Sequence, residues 1–346
     1  EAPMLGLTGM GGGAASLMWH HAAGLIQGGL WVWGSGGFGQ TMQSNKIGRS
    51  SPIQVGTDST WAYLPDTGVS DGYYSIAGKA DGTLWTSGSP KEDGNGANRG
   101  MTGMNNATQY SSPIQIGSDA TWTGAMSRGG RFNVATKTDG SLWMWGRNDN
   151  QGQLGQNNRT SYSSPIQVPG TWSIEKGAVT ASNEYTLAIK ANGTLWAWGK
   201  NDNGGFGIGQ PSNYRRSSPV QIGTDTNWLT INAGGGYQLQ LATKTDGTLW
   251  AWGNNGSGQL GLNNQTPYNS PMQVGTDTTW LWTTNGASSA YVTKTDGTLW
   301  TWGSNTQGRL GHNNTTTYSS PKQVPGTWKT NWDSIGTMAY SAAGVK

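Results

Sequence analysis

Short stretches in which apolar and polar positions alternate recur along the chain, and six of them share one form. Leu30-Trp31-Val32-Trp33-Gly34, Leu142-Trp143-Met144-Trp145-Gly146, Leu195-Trp196-Ala197-Trp198-Gly199, Leu249-Trp250-Ala251-Trp252-Gly253 and Leu299-Trp300-Thr301-Trp302-Gly303 are near copies of one another. In Leu84-Trp85-Thr86-Ser87-Gly88 a serine stands where the second tryptophan is expected. A period of two marks a strand, and side chains alternate across a strand, so the two indoles of each copy share one face. The leading tryptophans, at 31, 85, 143, 196, 250 and 300, return every 50 to 58 residues. Such a period is the signature of an architecture built by stacking similar units.

Each copy has the same surroundings. Upstream stand Asp81-Gly82, Asp139-Gly140, Asn192-Gly193, Asp246-Gly247 and Asp296-Gly297, pairs that tolerate the positive φ of tight hairpin turns. A strand therefore precedes each turn, over Tyr74 to Lys79, Phe132 to Lys137, Tyr185 to Lys190, Leu239 to Lys244 and Ala290 to Lys294. Downstream, Asn/Gly-rich loops lead into Ser-Pro-x-Gln-Val/Ile, with prolines at 52, 113, 165, 219, 271 and 321. Proline has no N–H to give, which places these strands at an edge. A fourth strand is predicted near Trp61, Trp122, Trp172, Trp228, Trp280 and Trp328. Four short strands per unit at this period describe a propeller blade.

Composition sharpens the picture. Among 346 residues only 33% are hydrophobic, yet 57 are glycine and 20 are tryptophan, so indoles must supply much of the core. The 21 basic residues exceed the 18 acidic ones by three and are scattered, Arg215-Arg216 being the one adjacent basic pair. Nucleic acid is not expected as a partner, because that activity needs a clustered basic face. There is no cysteine, which excludes disulfides and thiolate metal sites. No apolar run approaches the roughly 20 residues that span a bilayer, so no membrane insertion is expected.

The combination Gly-x-Leu-Trp-x-Trp-Gly-x-Asn, Gly-Gln-Leu-Gly, Pro-x-Gln-Val and Tyr-x-Leu-Ala-x-Lys-x-Asp-Gly resembles the RCC1 repeat over residues 28 to 346. The resemblance implies an all-β RCC1-like propeller. The unit count predicts six blades, with seven as the alternative. Trp328 to Lys346 matches Trp172 to Lys190 in length. This predicts closure of the ring by pairing of the C-terminal strands with the N-terminal Leu30-to-Gly34 strand. The chain then divides into a Gly-rich arm over 1–20 and the propeller over 21–346. The low-charge, Asn/Thr/Gly/Trp-rich repeat looks most like the bacterial and phage members. That likeness implies a non-enzymatic structural protein of a virion, or of a cell surface as an adhesin. A regulator docking on a protein partner, or a glycan-binding lectin, is the alternative.

Catalytic constellations need titratable groups poised together, and the supply here is thin. There are three histidines, His20, His21 and His312, and Asp81, Asp139, Asp246 and Asp296 belong to turns. Neither a catalytic set nor a metal or cofactor site is expected. Asn148-Asp149-Asn150 and Asn201-Asp202-Asn203-Gly204 lack the acidic residue that completes a calcium loop. Binding is expected where units differ. The enlarged loop from Gly88 to Tyr110 carries Lys91, Glu92, Asp93 and Arg99 and ends at Tyr110, and a second loop carries Tyr214, Arg215 and Arg216. Aromatic and arginine side chains are favoured interface anchors. In the arm, Met4, Leu5, Leu7, Met10, Leu17, Met18 and Trp19 are apolar enough to predict attachment to a larger assembly. The expected partners are proteins of that assembly, with a cell-surface glycan or receptor as the alternative contact.

Overall fold

The computed structural model describes residues 28–65, 73–91, 99–149, 151–201, 204–210, 214–233, 239–286 and 288–329, and four further short strands by their backbone. These four are Met4–Leu5, Ser16–His20, Ile335–Thr337 and Ala342–Gly344. Six four-stranded antiparallel sheets follow one another along the chain, and the last two strands form a two-stranded sheet of their own. No helix among the described residues is long and apolar enough to cross a membrane.

The fifth sheet shows how the repeat builds a blade. Its strands are Trp228–Ala233, Leu239–Lys244, Leu249–Gly253 and Tyr268–Gln273, in chain order. The Asp246-Gly247 turn joins the second strand to the third, with Thr243 opposite Leu249 and Gly247 at φ +77°. The second strand is buried along its whole length, whereas the Ser-Pro strand is largely solvent-facing, as a strand beginning with proline must be. First strands of consecutive sheets are neighbours from the second sheet to the sixth, so these strands line a common axis and the proline strands face outward.

Alternation then decides how sheets pack. In the third strand Leu249 and Ala251 point one way, Trp250 and Trp252 the other. From the first sheet to the fifth, each leucine face lies against the tryptophan face of the next sheet. Leu195, Ala197 and Ile222 of the fourth sheet share a core with Trp228 and Trp252 of the fifth, and Leu249, Ala251 and Val274 share one with Trp280 and Trp302 of the sixth. Within each tryptophan face the rings meet edge to face, Trp228 lying 5.9 Å from Trp250 and 6.1 Å from Trp252. From the third sheet to the sixth, the second indole of the pair is the buried one: Trp145, Trp198, Trp252 and Trp302 are fully enclosed.

Backbone bonds pin neighbours at both ends. At one end, from the first sheet to the fifth, the loop after the third strand reaches the next sheet's outer strand, as in Asn105 N–H to Ser163 O (2.6 Å), Asn157 N–H to Ser217 O (2.6 Å) and Asn263 N–H to Ser319 O (2.7 Å). The last glycine of the same loops seats the next sheet's buried indole. A Cβ on Gly155 would lie 3.0 Å from Trp198 Nε1, and one on Gly261 would lie 2.7 Å from Trp302 Nε1. The first loop has Met42 at this position, and the following sheet has Ser87 in place of the indole, so the two departures coincide. At the other end Gly82, Gly140, Gly193, Gly247 and Gly297 accept from the backbone N–H of the tryptophan that opens the next unit.

The count of six four-stranded sheets agrees with the repeat, but the predicted closure does not occur. Leu30–Gly34 pairs with Ser16–His20, which pairs in turn with Met4–Leu5, and among the described residues the two C-terminal strands pair with each other and with no other strand. The position reserved for the C-terminal strands is already filled from the N-terminal side. Among the described residues the leucine face of the sixth sheet packs on Trp328, and Gly297 O accepts from Trp328 N–H. Trp33 is only half-buried, and the nearest described atom to a Cβ on Gly311 is Val324 Cγ1 of its own sheet, at 3.6 Å. Of the arm drawn over 1–20, Met4–Leu5 and Ser16–His20 are strands of the first sheet. Leu7, Met10 and the side chains of Met4, Leu5, Leu17, Met18 and Trp19 lie outside the described residues.

Candidate partner-binding surfaces

Antiparallel order separates two kinds of connection. The loops after first and third strands lie at one end of every sheet, and the Asp-Gly turns with the inter-sheet connections lie at the other.

At the loop end, from the third sheet to the sixth, the asparagine two residues beyond the strand glycine braces its own loop. Asn148 Oδ1 accepts from Leu154 N–H (2.9 Å) while its Nδ2 donates to Asn158 O (3.1 Å), and Asn255 and Asn305 repeat this with Leu260 and Leu310. These amides are committed to the loop. No group of three or more His, Asp or Glu side chains that could hold a metal ion occurs among the described residues.

Charged side chains cluster on this end. Arg99 Nη1 lies 2.6 Å from Asp149 Oδ2, and Arg147 Nε binds the other oxygen of the same carboxylate. The bridge joins the enlarged loop of the second sheet to the loop of the third. One sheet further, Gln151 Nε2 donates to Glu184 Oε1 (3.3 Å), and Glu184 Oε2 pairs with Lys200 Nζ at 3.0 Å. Lys200 is in register with Arg215, and Asn201 with Tyr214. The guanidinium of Arg216 lies 4.6 Å from the centre of the Tyr214 ring, and Arg215 and Arg216 are exposed. A charged band thus crosses three sheets.

The band contains several of the residues expected from sequence. Arg99, Tyr214, Arg215 and Arg216 belong to it. Tyr110 lies nearby at the start of an outer strand, its hydroxyl bonded to Asn106 Nδ2 at 2.8 Å. Lys91 is half-buried in a short turn, where its backbone N–H donates to Ser89 Oγ (3.1 Å). Glu92 and Asp93 lie outside the described residues. Arg147, Asp149, Glu184 and Lys200 were not foreseen. A signal existed: the residue after the strand glycine is Arg147 or Lys200 in the third and fourth sheets, but serine or asparagine in the others.

The opposite end carries a repeated polar arrangement. Asp246 Oδ1 accepts from the backbone N–H and hydroxyl of Thr248, whose oxygen accepts from Trp250 Nε1 at 2.9 Å. Asp81, Asp139 and Asp296 repeat this with Thr83, Ser141 and Thr298. The hydroxyl donor, supported by the backbone N–H, holds all four carboxyls below the ordinary aspartate pKa. A depressed folded-state pKa contributes stability that is present above the unfolded value, about 3.9, and lost as pH falls through the folded value. The melting temperature should therefore decline below about pH 4. Asp246→Asn, which copies the bonding of Asn192, should make that decline shallower. An unchanged acid limb in a melting series would refute the assignment.

From the second sheet to the sixth, the half-buried leading indole of the third strand is not a free stacking platform. Lys79, Lys137, Lys190, Lys244 and Lys294 place Nζ over Trp85, Trp143, Trp196, Trp250 and Trp300 at 3.8 to 4.3 Å from the ring centre.

The model of the regulator of chromosome condensation (RCC1) repeat matches residues 139–189, 192–239, 246–284 and 296–335, together half of the chain. The mitochondrial RCC1 domain-containing protein RUG3 of Arabidopsis thaliana is 27% identical over 70% of the chain and 54% of its own length. The human E3 ubiquitin-protein ligase HERC2 is 27% identical over 43% of the chain and 3% of its own length. The chain thus spans about half of the first relative and a small fraction of the second. Among solved structures, Prp20p of Saccharomyces cerevisiae, described with its binding to Gsp1p and histones, superposes with a TM-score of 0.74. It is 14% identical, covering 99% of this chain and 82% of that one, a likeness of fold. These plant, human and yeast proteins overturn the expectation of a bacterial or phage type, and with it the virion or cell-surface location.

Proposed function

Because the chain belongs to the RCC1-repeat family, we propose that it is a non-enzymatic propeller that docks on another protein through its loop end, as a regulator or scaffold does. The charged band from Arg99 through Asp149 and Glu184 to Arg216 carries this reading. It is assembled from side chains by which the second, third and fourth units differ from the rest, and binding residues belong to such variable loops on a rigid scaffold. The yeast relative is described as binding proteins, Gsp1p and histones. A glycan site finds less support, since a lysine ammonium covers the half-buried rings of Trp85, Trp143, Trp196, Trp250 and Trp300.

Arg215 and Arg216 test the reading, because both are exposed. Arg215→Glu with Arg216→Glu should leave the melting temperature nearly unchanged and weaken partner binding about tenfold or more, as reversing charge across a complementary interface does. Quantitative capture from a lysate of the source cells compares the two proteins. A partner held equally well by both would place the contact elsewhere.

A further inference from the structure

The lysines at the turn end do not all have the same company. Lys79 Nζ lies 2.6 Å from Asp58, Lys137 lies 2.9 Å from Asp119, Lys244 lies 2.7 Å from Asp225 and Lys294 lies 2.7 Å from Asp277. Each of these aspartates belongs to the connection that enters the sheet. Each lysine also acts on the aspartate of its own hairpin turn, Asp81, Asp139, Asp246 or Asp296. In four sheets one ammonium, held over two indoles, is thus answered by two carboxylates.

Lys190 of the fourth sheet has neither. Its Nζ lies 3.8 Å from the Trp196 ring centre and 5.3 Å from that of Trp172, so the indole platform is intact. The turn residue here is Asn192. The entering connection, Val168-Pro169-Gly170-Thr171-Trp172, is two residues shorter than Ile222-Gly223-Thr224-Asp225-Thr226-Asn227-Trp228 and contains no acid. A Cβ on Gly170 would lie 3.4 Å from Lys190 Cε, so the shortened backbone borders the lysine stem without supplying a charge. No carboxylate among the described residues forms an ion pair with Lys190.

We infer that Lys190, Trp172 and Trp196 form a docking point for an acidic side chain of a protein partner, whose carboxylate takes the place that Asp58, Asp119, Asp225 and Asp277 take in the other sheets. The chain itself displays the complex four times. The lysine is already placed by its two rings, so little rotamer freedom remains to be lost on binding. The site lies at the end of the propeller opposite the Arg99-to-Arg216 band, and it stands or falls separately from the function proposed above.

Nuclear magnetic resonance of the full chain with 13C-labelled lysine tests this, with Lys190→Gln identifying the signal. The probe is the peptide acetyl-Gly-Thr-Asp-Thr-amide, the chain's own connection sequence. The Lys190 ε-methylene signal should move saturably while those of Lys79, Lys137, Lys244 and Lys294 stay in place, and the Asn analogue of the peptide should have no effect. Replacing the 168–172 connection by Ile-Gly-Thr-Asp-Thr-Asn-Trp should abolish the response by filling the site from within. Should that graft not fold, Asn192→Asp serves instead and should weaken the peptide roughly threefold, the scale of one exposed charge pair. A static Lys190 signal, equal movement of all five lysines, the same shift with the Asn peptide, or undiminished binding by the variant that folds would each overturn the inference.

Discussion

Replacing Trp252 by alanine is expected to cost about 3 to 5 kcal/mol of unfolding free energy, the usual range for removing a fully buried large aromatic. The indole is completely enclosed, meets Trp228 edge to face and donates from Nε1 to Gly205 O at 3.0 Å. Gly205 lies in the preceding sheet's loop, so the substitution empties the junction between two sheets as well as the interior of one. Trp250 is the internal comparison. It is half-buried, and its loss removes the Thr248 bond and the platform under Lys244, for about 1 to 2 kcal/mol. Denaturant midpoints of the two variants should separate clearly. Equal midpoints would mean that the two positions of the Trp-x-Trp strand share burial equally, against the packing described.

Gly247→Ala should be costly for a different reason. At φ +77° any other L-residue is strained by about 1 to 2 kcal/mol. Here the new Cβ would also stand 1.9 Å from Thr278 O in the connection entering the next sheet. That carbonyl belongs to backbone and cannot swing away. The segment must shift, and with it the bond from Trp280 N–H to Gly247 O, giving a total of about 2 to 5 kcal/mol. Gly223→Ala separates the two contributions, since Gly223 has φ +59° but no atom within 4 Å of a Cβ. It should lose only the conformational share. If the two variants unfold at the same denaturant concentration, the turn does not clamp the next sheet.

These predictions show where reading along the chain succeeds and where it stops. Strand, turn and outer-edge positions were legible because each is a local matter: Leu-Trp-x-Trp alternates at period two, Asp-Gly tolerates positive φ, and Ser-Pro cannot sit between two strands. The indoles could be placed on one face, but not ranked. Trp250 and Trp252 look alike in the chain, and only the loop arriving from the neighbouring sheet buries the second. Gly261 and Met42 likewise acquire their meaning from the residue opposite them, Trp302 in one case and the absent indole at Ser87 in the other.

Ring closure failed as an expectation for the same reason. Trp328 to Lys346 has the length of a first-strand and second-strand pair, and it does form two strands, but length does not say which edge a strand joins. Ser16–His20, within a segment read as an arm, pairs with Leu30–Gly34 instead. The charges behaved similarly. Arg99 and Arg216 were visible as unusual loop residues, while Asp149, Glu184 and Lys200, which link them, were hidden among residues that turn chemistry explains equally well. Periodicity and turn residues act over a few neighbours and so can be read from the chain. Strand partners, the depth of an indole and the company of a lysine depend on more distant segments, 17 residues apart for Lys294 and Asp277 and 47 for Trp252 and Gly205, and those are brought together only when strand pairs with strand and sheet packs on sheet.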